Sequence, residues 1–587
     1  MRSIEQMIEE LQVAKGLKPA DLVLLNARLV MLHTEEIMEG CLYIKNGRIA
    51  AIRHEHSLLA IGQYDCEGRF VLPGFIDAHV SIEPTLLTPE TLSEVIVPQG
   101  TTTLLAHGLE MDTVTGLSGM DALLQSVPNE TLHYNLWRQV PPEELKTFWP
   151  EAAGHERAEK EVVRKLAQSY SVRMGEVLSS EALDLSETHL NEVLMAQSLG
   201  KIVNGKAAGL KWDELNVCAC AGLADDHECV EYDELLMRLR LGMGVLIRES
   251  SAERSLDALI TGLLRERLPY DGIMFCTNGK HVYDIHREGH LNYMVNRAVQ
   301  LGVPPMKAIK MATLNTAKHF RLDHLIGSIT PGKWADLILV EELERIRPEV
   351  VFYRGTIAAQ QGKLIAPVAR PVYPERLRQT VRLGADFSAE QFKVLSGETA
   401  AVKVRVIHLY PNQIVNFGSV ETLQPANGEI RADAARDILK LAVVERFGRT
   451  GDVGVAFVKG FGIQDGALAC SVAHDHHNIV VVGTNDKDME LAVRTIEMHQ
   501  GGLVAVSSGV IQAVLPLPIG GLVTDLGAEE VIGRMEHLND AVRAMGCRLP
   551  APFMTLSFIS LPTVPELGMT DKGLVDVKSH SIIPVLI

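Results

Sequence analysis

The chain has 587 residues, and its 56 Lys and Arg against 74 Asp and Glu give a formal net charge of −18. A single hydrophobic core stops growing at roughly 250–300 residues, so several domains are expected. The acidic balance argues against nucleic acid or an acidic membrane surface as the main partner. It favours a small neutral or cationic ligand instead.

The N-terminal residues 1–10 form an acidic amphipathic helix pattern. This pattern lacks the basic and apolar regions of a signal peptide, which predicts a cytoplasmic protein. The eight cysteines include no Cys-x-x-Cys pair, as expected of scattered thiols in a reducing compartment. The late apolar stretch 501–523 is interrupted by serines, a glutamine and two prolines, so we predict strands there and no membrane span.

Hydrophobic patterning divides the chain into four segments. Residues 1–71 continue from the helix pattern into short β-rich runs with turn signals such as Asn46-Gly47, which predicts the first half of a small β-sandwich. Residues 72–320 alternate short apolar strands with helical segments, which indicates parallel strands. Residues 321–368 return to strand chemistry and are predicted to complete the sandwich. A Pro-rich linker then sets apart residues 369–587 as a C-terminal domain.

The most informative motif is the run Val71–Ser81, which ends in Asp77-Ala-His79-Val-Ser81. An apolar run with this ending indicates a buried strand that presents polar side chains at its C-terminal end, where barrel enzymes carry their chemistry. Alternate residues of a strand share one face, so His79 and Ser81 are expected to point the same way.

This motif is one of a series that resembles the bacterial adenine deaminases of the amidohydrolase superfamily. The shared motifs follow a common order across nearly the whole chain, namely Asp77-Ala-His79, Gly100-Thr-Thr-Thr103, Gly175-Glu176-Val177, Asp226-His227-Glu228, Ile247-Arg248-Glu249, Phe275-Cys-Thr277, Glu288-Gly-His290, Gly460-Phe-Gly462, Ser471–Asn478 and Gly483-Thr-Asn485. The resemblance implies an α/β fold with an amidohydrolase-type distorted (β/α)8 barrel, a composite β-sandwich and a C-terminal α/β domain.

The resemblance also implies a metal centre at the barrel mouth. A bound divalent metal lowers the pKa of water and supplies the hydroxide that attacks the purine. Of the family's ligands, this chain keeps His79, Glu176 and His227. Such a set can hold one Mn, Fe or Zn ion, so at most one ion is expected.

Other ligand positions are altered. The second histidine of the family's first-strand His-x-His pair is Ser81 here, and another ligand histidine is Lys206. A lysine ammonium offers donors where a metal needs a lone pair. Two interpretations of Lys206 stay open: a surface side chain, or an ammonium that takes the place of the metal charge beside Glu176.

The catalytic base is also changed, because the family's aspartate is Asn278. An amide can position a substrate but cannot accept and return a proton. His281 or His107 is a candidate replacement base, and Glu228 is a further candidate catalytic residue. Arg248 and Glu249, at the end of a predicted strand, are interpreted as a structural ion pair.

A late cluster of polar residues has two interpretations. His474, Asp475, His477 and Asn478 either line the substrate cleft or a separate metal site, or they form a polar turn held by mutual hydrogen bonds. Three histidines within four residues favour a functional role, because they are costly to bury without one.

The resemblance implies hydrolytic deamination of adenine to hypoxanthine and ammonia, with a small-molecule purine as the substrate. We expect a homo-oligomer with neither a nucleic-acid nor a membrane partner. Two alternatives remain: a non-catalytic purine-binding protein, and a single-metal hydrolase that acts on a different amino-purine or amide. The fold does not decide among them, because the chemistry depends on the site.

Overall fold

The protein is described from a computed structural model. The structure describes residues 2–116, 119–127, 133–140, 164–168, 171–178, 182–397, 400–410, 416–474, 476–561, 566–579 and 581–587. The side chains of residues 109, 138–140, 176–178 and 188–189 are not described. The predictions for the Glu176 side chain and for Asp475 therefore lie outside the described part of the chain.

The N-terminal segment is a helix followed by five strands. The helix begins after a capping box at Ser3, where the Ser3 and Gln6 side chains satisfy each other's backbone N–H groups. The elements are α1 (Ile4–Ala14), β1 (Ala20–Met31), β2 (Glu36–Lys45), β3 (Arg48–Arg53), β4 (Ala60–Asp65) and β5 (Phe70–Pro73).

Eight parallel strands follow in one sheet, in chain order. They are β6 (Phe75–Ser81), β7 (Thr101–His107), β8 (Asn135–Val140), β9 (Ser171–Leu178), β10 (Ile202–Lys206), β11 (Asp225–Asp226), β12 (Gly244–Arg248) and β13 (Ile273–Cys276). Every residue of β6, β7, β12 and β13 is buried, as expected of strands covered on both faces. The helices of this region are α2 (Pro89–Ile96), α3 (Leu109–Thr115), α4 (Gly119–Gln125), α5 (Glu187–Ser198), α6 (Trp212–Ala221), α7 (Tyr232–Arg240), α8 (Leu256–Glu266), α9 (Val282–Glu288), α10 (Leu291–Leu301), α11 (Pro305–Met311) and α12 (Leu314–His319).

Asn278 joins the last strand of this sheet to the first. Val80 and Asn278 form a parallel bridge, in which the Asn278 N–H donates to the His79 carbonyl at 2.9 Å and the Ser81 N–H donates to the Asn278 carbonyl at 2.9 Å. Asn278 has a φ of 52°, a left-handed conformation that asparagine tolerates better than most residues. The backbone of Asn278 therefore links the two edges of the barrel. The predicted fold class is confirmed.

The next four strands complete the N-terminal sheet. They are β14 (Leu337–Val340), β15 (Val350–Tyr353), β16 (Thr356–Gln360) and β17 (Lys363–Leu364). β14 pairs antiparallel with β5, so segments far apart in sequence share one nine-stranded sheet. Its core includes Leu29, Val71, Leu339 and Phe352.

The C-terminal part is built on an eight-stranded mixed sheet with the strand order β20-β19-β23-β22-β25-β24-β26-β27. The elements of this part of the chain are β18 (Val394–Leu395), β19 (Val402–Leu409), β20 (Asn416–Leu423), β21 (Glu429–Ile430), β22 (Leu439–Val444), β23 (Val453–Lys459), β24 (Ala467–Cys470), β25 (Ile479–Gly483), α13 (Asp486–Met498), β26 (Gly502–Ser507), β27 (Val510–Pro516), α14 (Ala528–Ala544), α15 (Pro552–Phe558), β28 (Leu567–Thr570), β29 (Gly573–Asp576) and β30 (Ser581–Ile583). The stretch 501–523 thus contains two strands. Among the described helices, none combines the length and apolar character needed to cross a bilayer.

The loop after β27 contacts the barrel mouth. The Thr524 N–H donates to the Leu86 carbonyl at 3.0 Å. Gly520 lies against Met111 at the start of α3, where an added Cβ would sit 2.7 Å from the Met111 sulfur, and its φ is 67°. Only glycine tolerates both the close approach and this backbone conformation without strain. The C-terminal domain therefore packs beside the end of the barrel where polar side chains collect.

Candidate active site

Polar side chains converge at the C-terminal ends of the barrel strands. His79 and Ser81 end β6, His107 ends β7, and Arg248 ends β12. All four are buried. Because parallel strands bring their C-terminal ends to one side of a barrel, these residues form one mouth.

Three imidazoles meet in this mouth. The rings of His79 and His227 stack with their centroids 4.1 Å apart, and the centroids of His79 and His107 are 5.1 Å apart. The Ser81 hydroxyl and the His107 Nε2 atom form a hydrogen bond. His107 therefore brings an imidazole beside the position where the family's second first-strand histidine is replaced by serine.

Arg173 was not identified from the sequence. This fully buried residue of β9 places its guanidinium nitrogen 2.7 Å from Nδ1 of His79. A guanidinium can only donate, so Nδ1 accepts and a neutral His79 ring carries its proton on Nε2. The available signal is an arginine between the apolar residues Val172 and Met174, two residues before Gly175.

A buried guanidinium also holds two glutamates. Arg248 lies 3.3 Å from a Glu228 oxygen and 3.1 Å from a Glu253 oxygen. Burial works to raise the pKa of Glu228, but Arg248, His227 and then Lys206 together hold it well below its usual value. Burial raises the pKa of Glu253 despite the opposing charge of Arg248.

The predicted Arg248–Glu249 ion pair is wrong. Arg248 pairs with Glu228 and Glu253, whereas Glu249 lies 3.2 Å from Arg254. Adjacent residues at the end of a strand point to opposite faces, so they reach different partners.

We expect Arg248→Met to destabilise the protein by about 3–5 kcal/mol, because it removes the buried cation that Glu228 and Glu253 share. Arg265→Met is the matched control: Arg265 and its partner Glu266 are both exposed, and such ion pairs contribute roughly 0–1 kcal/mol. Urea unfolding of both variants at pH 7 measures the difference. Equal midpoints would contradict the role assigned to Arg248.

Lys206 and Asn278 both border this ion-pair group. Lys206, at the end of β10, is part of the positive charge that lowers the pKa of Glu228. The Asn278 side-chain amide donates to Glu253 at 3.3 Å. The charge of Lys206 therefore affects Glu228 in the barrel mouth, and the Asn278 amide orients the Glu253 carboxylate.

His281 presents one ring nitrogen to the same region. Its Nδ1 atom is 2.7 Å from the Pro84 carbonyl, which can only accept, so the proton is on Nδ1. The Nε2 atom then carries a lone pair, and it has no hydrogen-bond partner among the described residues. Burial lowers the pKa of His281, which favours this neutral form.

The C-terminal domain contributes His474 to the mouth. Its Nδ1 atom is 3.4 Å from one Glu110 oxygen, and the other Glu110 oxygen is 3.5 Å from His107 Nδ1. The Phe558 ring stacks on His474 with the centroids 4.2 Å apart. Burial works to raise the pKa of Glu110, but His107 and His474 hold it below its usual value. One carboxylate thus joins the barrel to the C-terminal domain.

The other residues of the late cluster form contacts within their own domain. The His477 ring accepts the Ala473 N–H at 3.3 Å, and the Asn478 amide donates to Asp571 at 3.2 Å. The sequence placed His474, His477 and Asn478 in one group, but only His474 among them is within 4 Å of a barrel carboxylate in the described contacts.

Several buried polar atoms around the mouth have no hydrogen-bond partner among the described residues. They are Glu83 Oε2, Glu253 Oε1, His281 Nε2 and His474 Nε2. Buried polar groups in folded proteins are nearly always paired. Four unpaired atoms from the barrel and the C-terminal domain indicate that a polar ligand or water belongs here.

The described donors do not assemble a metal centre by themselves, and the side chain of the predicted ligand Glu176 lies outside the described residues. Within the described part of the chain, no group of three or more His, Cys, Asp or Glu side chains is arranged to hold an ion. The Nε2 atom of a neutral His79 carries the proton that Arg173 excludes from Nδ1, so it lacks the lone pair that a metal requires.

Family comparisons agree with the fold and the motifs. The sequence model of the family described as "Amidohydrolase family" matches residues 70–360, and that of "Adenine deaminase C-terminal domain" matches residues 413–581. The first family implies a divalent metal. Among solved structures, an adenosine deaminase from Xanthomonas campestris with bound zinc is 14% identical, with a TM-score of 0.45 over 60% of this chain and 95% of that chain.

Similar relatives extend over the whole chain. The protein named "Adenine deaminase" from Desulforamulus reducens is 50% identical and covers 100% of this chain and 99% of its own length. That of Halalkalibacterium halodurans is 37% identical, with 99% and 98% covered. The resemblance inferred from the motifs is confirmed: the chain belongs to the adenine deaminase family of amidohydrolases.

Proposed function

We propose that this chain binds adenine at the barrel mouth and hydrolyses it to hypoxanthine and ammonia. The observation that carries the proposal is the 50% identity over the full length to a protein named adenine deaminase. The similarity includes both the barrel and the C-terminal domain, which meet through Glu110 and His474.

The unpaired atoms of the mouth support a purine ligand. Adenine presents ring-nitrogen acceptors and an amino-group donor on one flat heterocycle. Glu253 Oε1 and His474 Nε2 are buried atoms that such a ligand would pair. Each unsatisfied buried group costs about 1–3 kcal/mol, so pairing them favours binding.

The reaction exchanges one bond at C6 for another. The water oxygen forms a bond to C6, the C6–N bond breaks, and the amino group leaves as ammonia. One water proton moves to a base and then to the departing nitrogen, and the other remains on the product hypoxanthine. We assign the base to His281, whose Nε2 carries the lone pair.

Glu228 and Asn278 then have positioning roles. Glu228 has one oxygen 3.2 Å from His227 and the other 3.3 Å from Arg248, so neither is available as a base. Asn278 orients Glu253. The amidohydrolase family implies a divalent metal, and the proposal includes at most one equivalent of Mn, Fe or Zn per chain. The expectation of a cytoplasmic homo-oligomer stays a prediction.

The test combines turnover with binding. Pure protein is incubated with adenine, with and without added Mn, Fe or Zn, and hypoxanthine and ammonia are measured alongside calorimetric titration of adenine and the metal content. Stoichiometric release of both products supports the deaminase. Adenine binding without product would identify a non-catalytic purine-binding protein. Absence of both would contradict the proposal and favour another amino-purine or amide.

We expect His474→Ala to weaken adenine binding by about tenfold, the effect of losing one hydrogen bond worth roughly 1–1.5 kcal/mol. The barrel contacts of His79 and Arg173 do not involve His474, so the metal content should not change. His537→Ala, an exposed histidine of the same domain, is the matched control. An equal loss in both variants, or a lowered unfolding midpoint with unchanged affinity, would assign His474 a purely structural role.

A further inference from the structure

A cavity of about 270 Å³ lies between the barrel and the C-terminal domain, apart from the mouth residues described above. Val114 and Thr115 at the end of α3 form one wall. Arg376, Arg382 and Arg449 form much of the remainder. The cavity is thus lined from three separate parts of the chain.

The three guanidiniums have no hydrogen bond or ion pair with the described residues. The carboxylate of Glu445 lies nearby, but it accepts backbone N–H groups from Phe447 at 2.7 Å and from Arg449 at 3.1 Å. In a chain with a net charge of −18, three unpaired cations around one cavity reverse the local sign.

A fourth cation lies behind this cavity. Arg446 is fully buried, and its guanidinium carbon is 5.5 Å from the centroid of the Phe447 ring that lines the cavity. One nitrogen donates to the Gly520 carbonyl at 2.8 Å, while Nε and Nη1 have no partner among the described residues. A buried arginine without a carboxylate is costly, so this charge is expected to serve an anion.

Thr380 adds a neutral hydrogen-bonding group. Its buried hydroxyl lines the cavity and has no partner among the described residues. A phosphate accepts hydrogen bonds from guanidinium forks and from hydroxyls alike. The volume is close to the lower end of the range of about 300–1,000 Å³ found for ligand pockets.

We propose that this cavity binds the phosphate group of a small ligand through Arg376, Arg382 and Arg449. The ligand contacts α3, the helix that also carries Glu110, so the site lies one helix away from the mouth. The proposal is independent of the activity at the mouth.

The test titrates the full chain by calorimetry with inorganic phosphate and with ribose 5-phosphate, at constant ionic strength set by chloride. We expect saturable binding of at least one probe. The double variant Arg382→Gln/Arg449→Gln should weaken it about tenfold or more, because a hydrogen bond to a charged group contributes roughly 1.5–3 kcal/mol. Both positions are exposed, so folding is not threatened.

The matched control is Arg345→Gln/Arg347→Gln, which removes the same charge from two exposed positions outside the cavity. It should bind like the unmodified chain. Tighter binding of ribose 5-phosphate would identify a phosphorylated metabolite as the occupant, and tighter binding of inorganic phosphate the free ion. No saturable binding, or an equal loss in both double variants, would overturn the proposal.

Discussion

Replacing His281 with Gln is expected to lower the rate of ammonia release from adenine by about 10²–10⁴-fold, the usual contribution of a general base. The glutamine amide can still donate to the Pro84 carbonyl and fill the same space, but it cannot accept the water proton. Single-turnover measurement of hypoxanthine, with calorimetric adenine affinity as a second readout, separates loss of the base from loss of the pocket.

The pH profile gives the same variant a second readout. Burial lowers the pKa of His281 from its ordinary value of 6.5, so the base stays neutral as the pH falls through that value. The unmodified chain should therefore lose activity only at a pH below 6.5, and the variant should lack this limb. An unchanged rate and an unchanged acid limb in His281→Gln would show that another group is the base.

The sequence predicts the barrel because short buried runs such as β6 and β12 alternate with helices. It also predicts which strand ends carry His79, Ser81 and Arg248. It does not predict that the Asn278 backbone joins β13 to β6, because hydrogen bonds to the His79 carbonyl and from the Ser81 N–H depend on the closed sheet. From the sequence, Asn278 is recognised only as a replacement of the family's catalytic aspartate.

Contacts between distant segments account for what the sequence does not reveal about the site. Glu110 and His474 belong to different domains, and no local pattern encodes their 3.4 Å contact. Arg173 is similar, because its partner His79 lies on another strand. The partners of Arg248 were predictable in part, since strand alternation alone excludes the adjacent Glu249.

Arg173 changes what is required to restore a metal centre. The sequence identifies three departures from the family pattern, Ser81, Lys206 and Asn278. With Arg173 still on Nδ1 of His79, however, the proton stays on Nε2 and blocks a ligand. The amide oxygen of a glutamine at position 173 accepts a hydrogen bond from an Nδ1–H group, which leaves the lone pair on Nε2.

We therefore expect the triple variant Ser81→His/Lys206→His/Asn278→Asp to bind Mn, Fe or Zn about 10–100-fold more weakly than the quadruple variant that adds Arg173→Gln. Adenine turnover should rise with metal occupancy. Adding Arg345→Gln to the triple variant is the matched control for the lost charge, since Arg345 is exposed and outside the mouth. Equal metal affinity in the triple and quadruple variants would mean that the Arg173 contact yields to a metal. In that case the three sequence departures alone would explain the altered site.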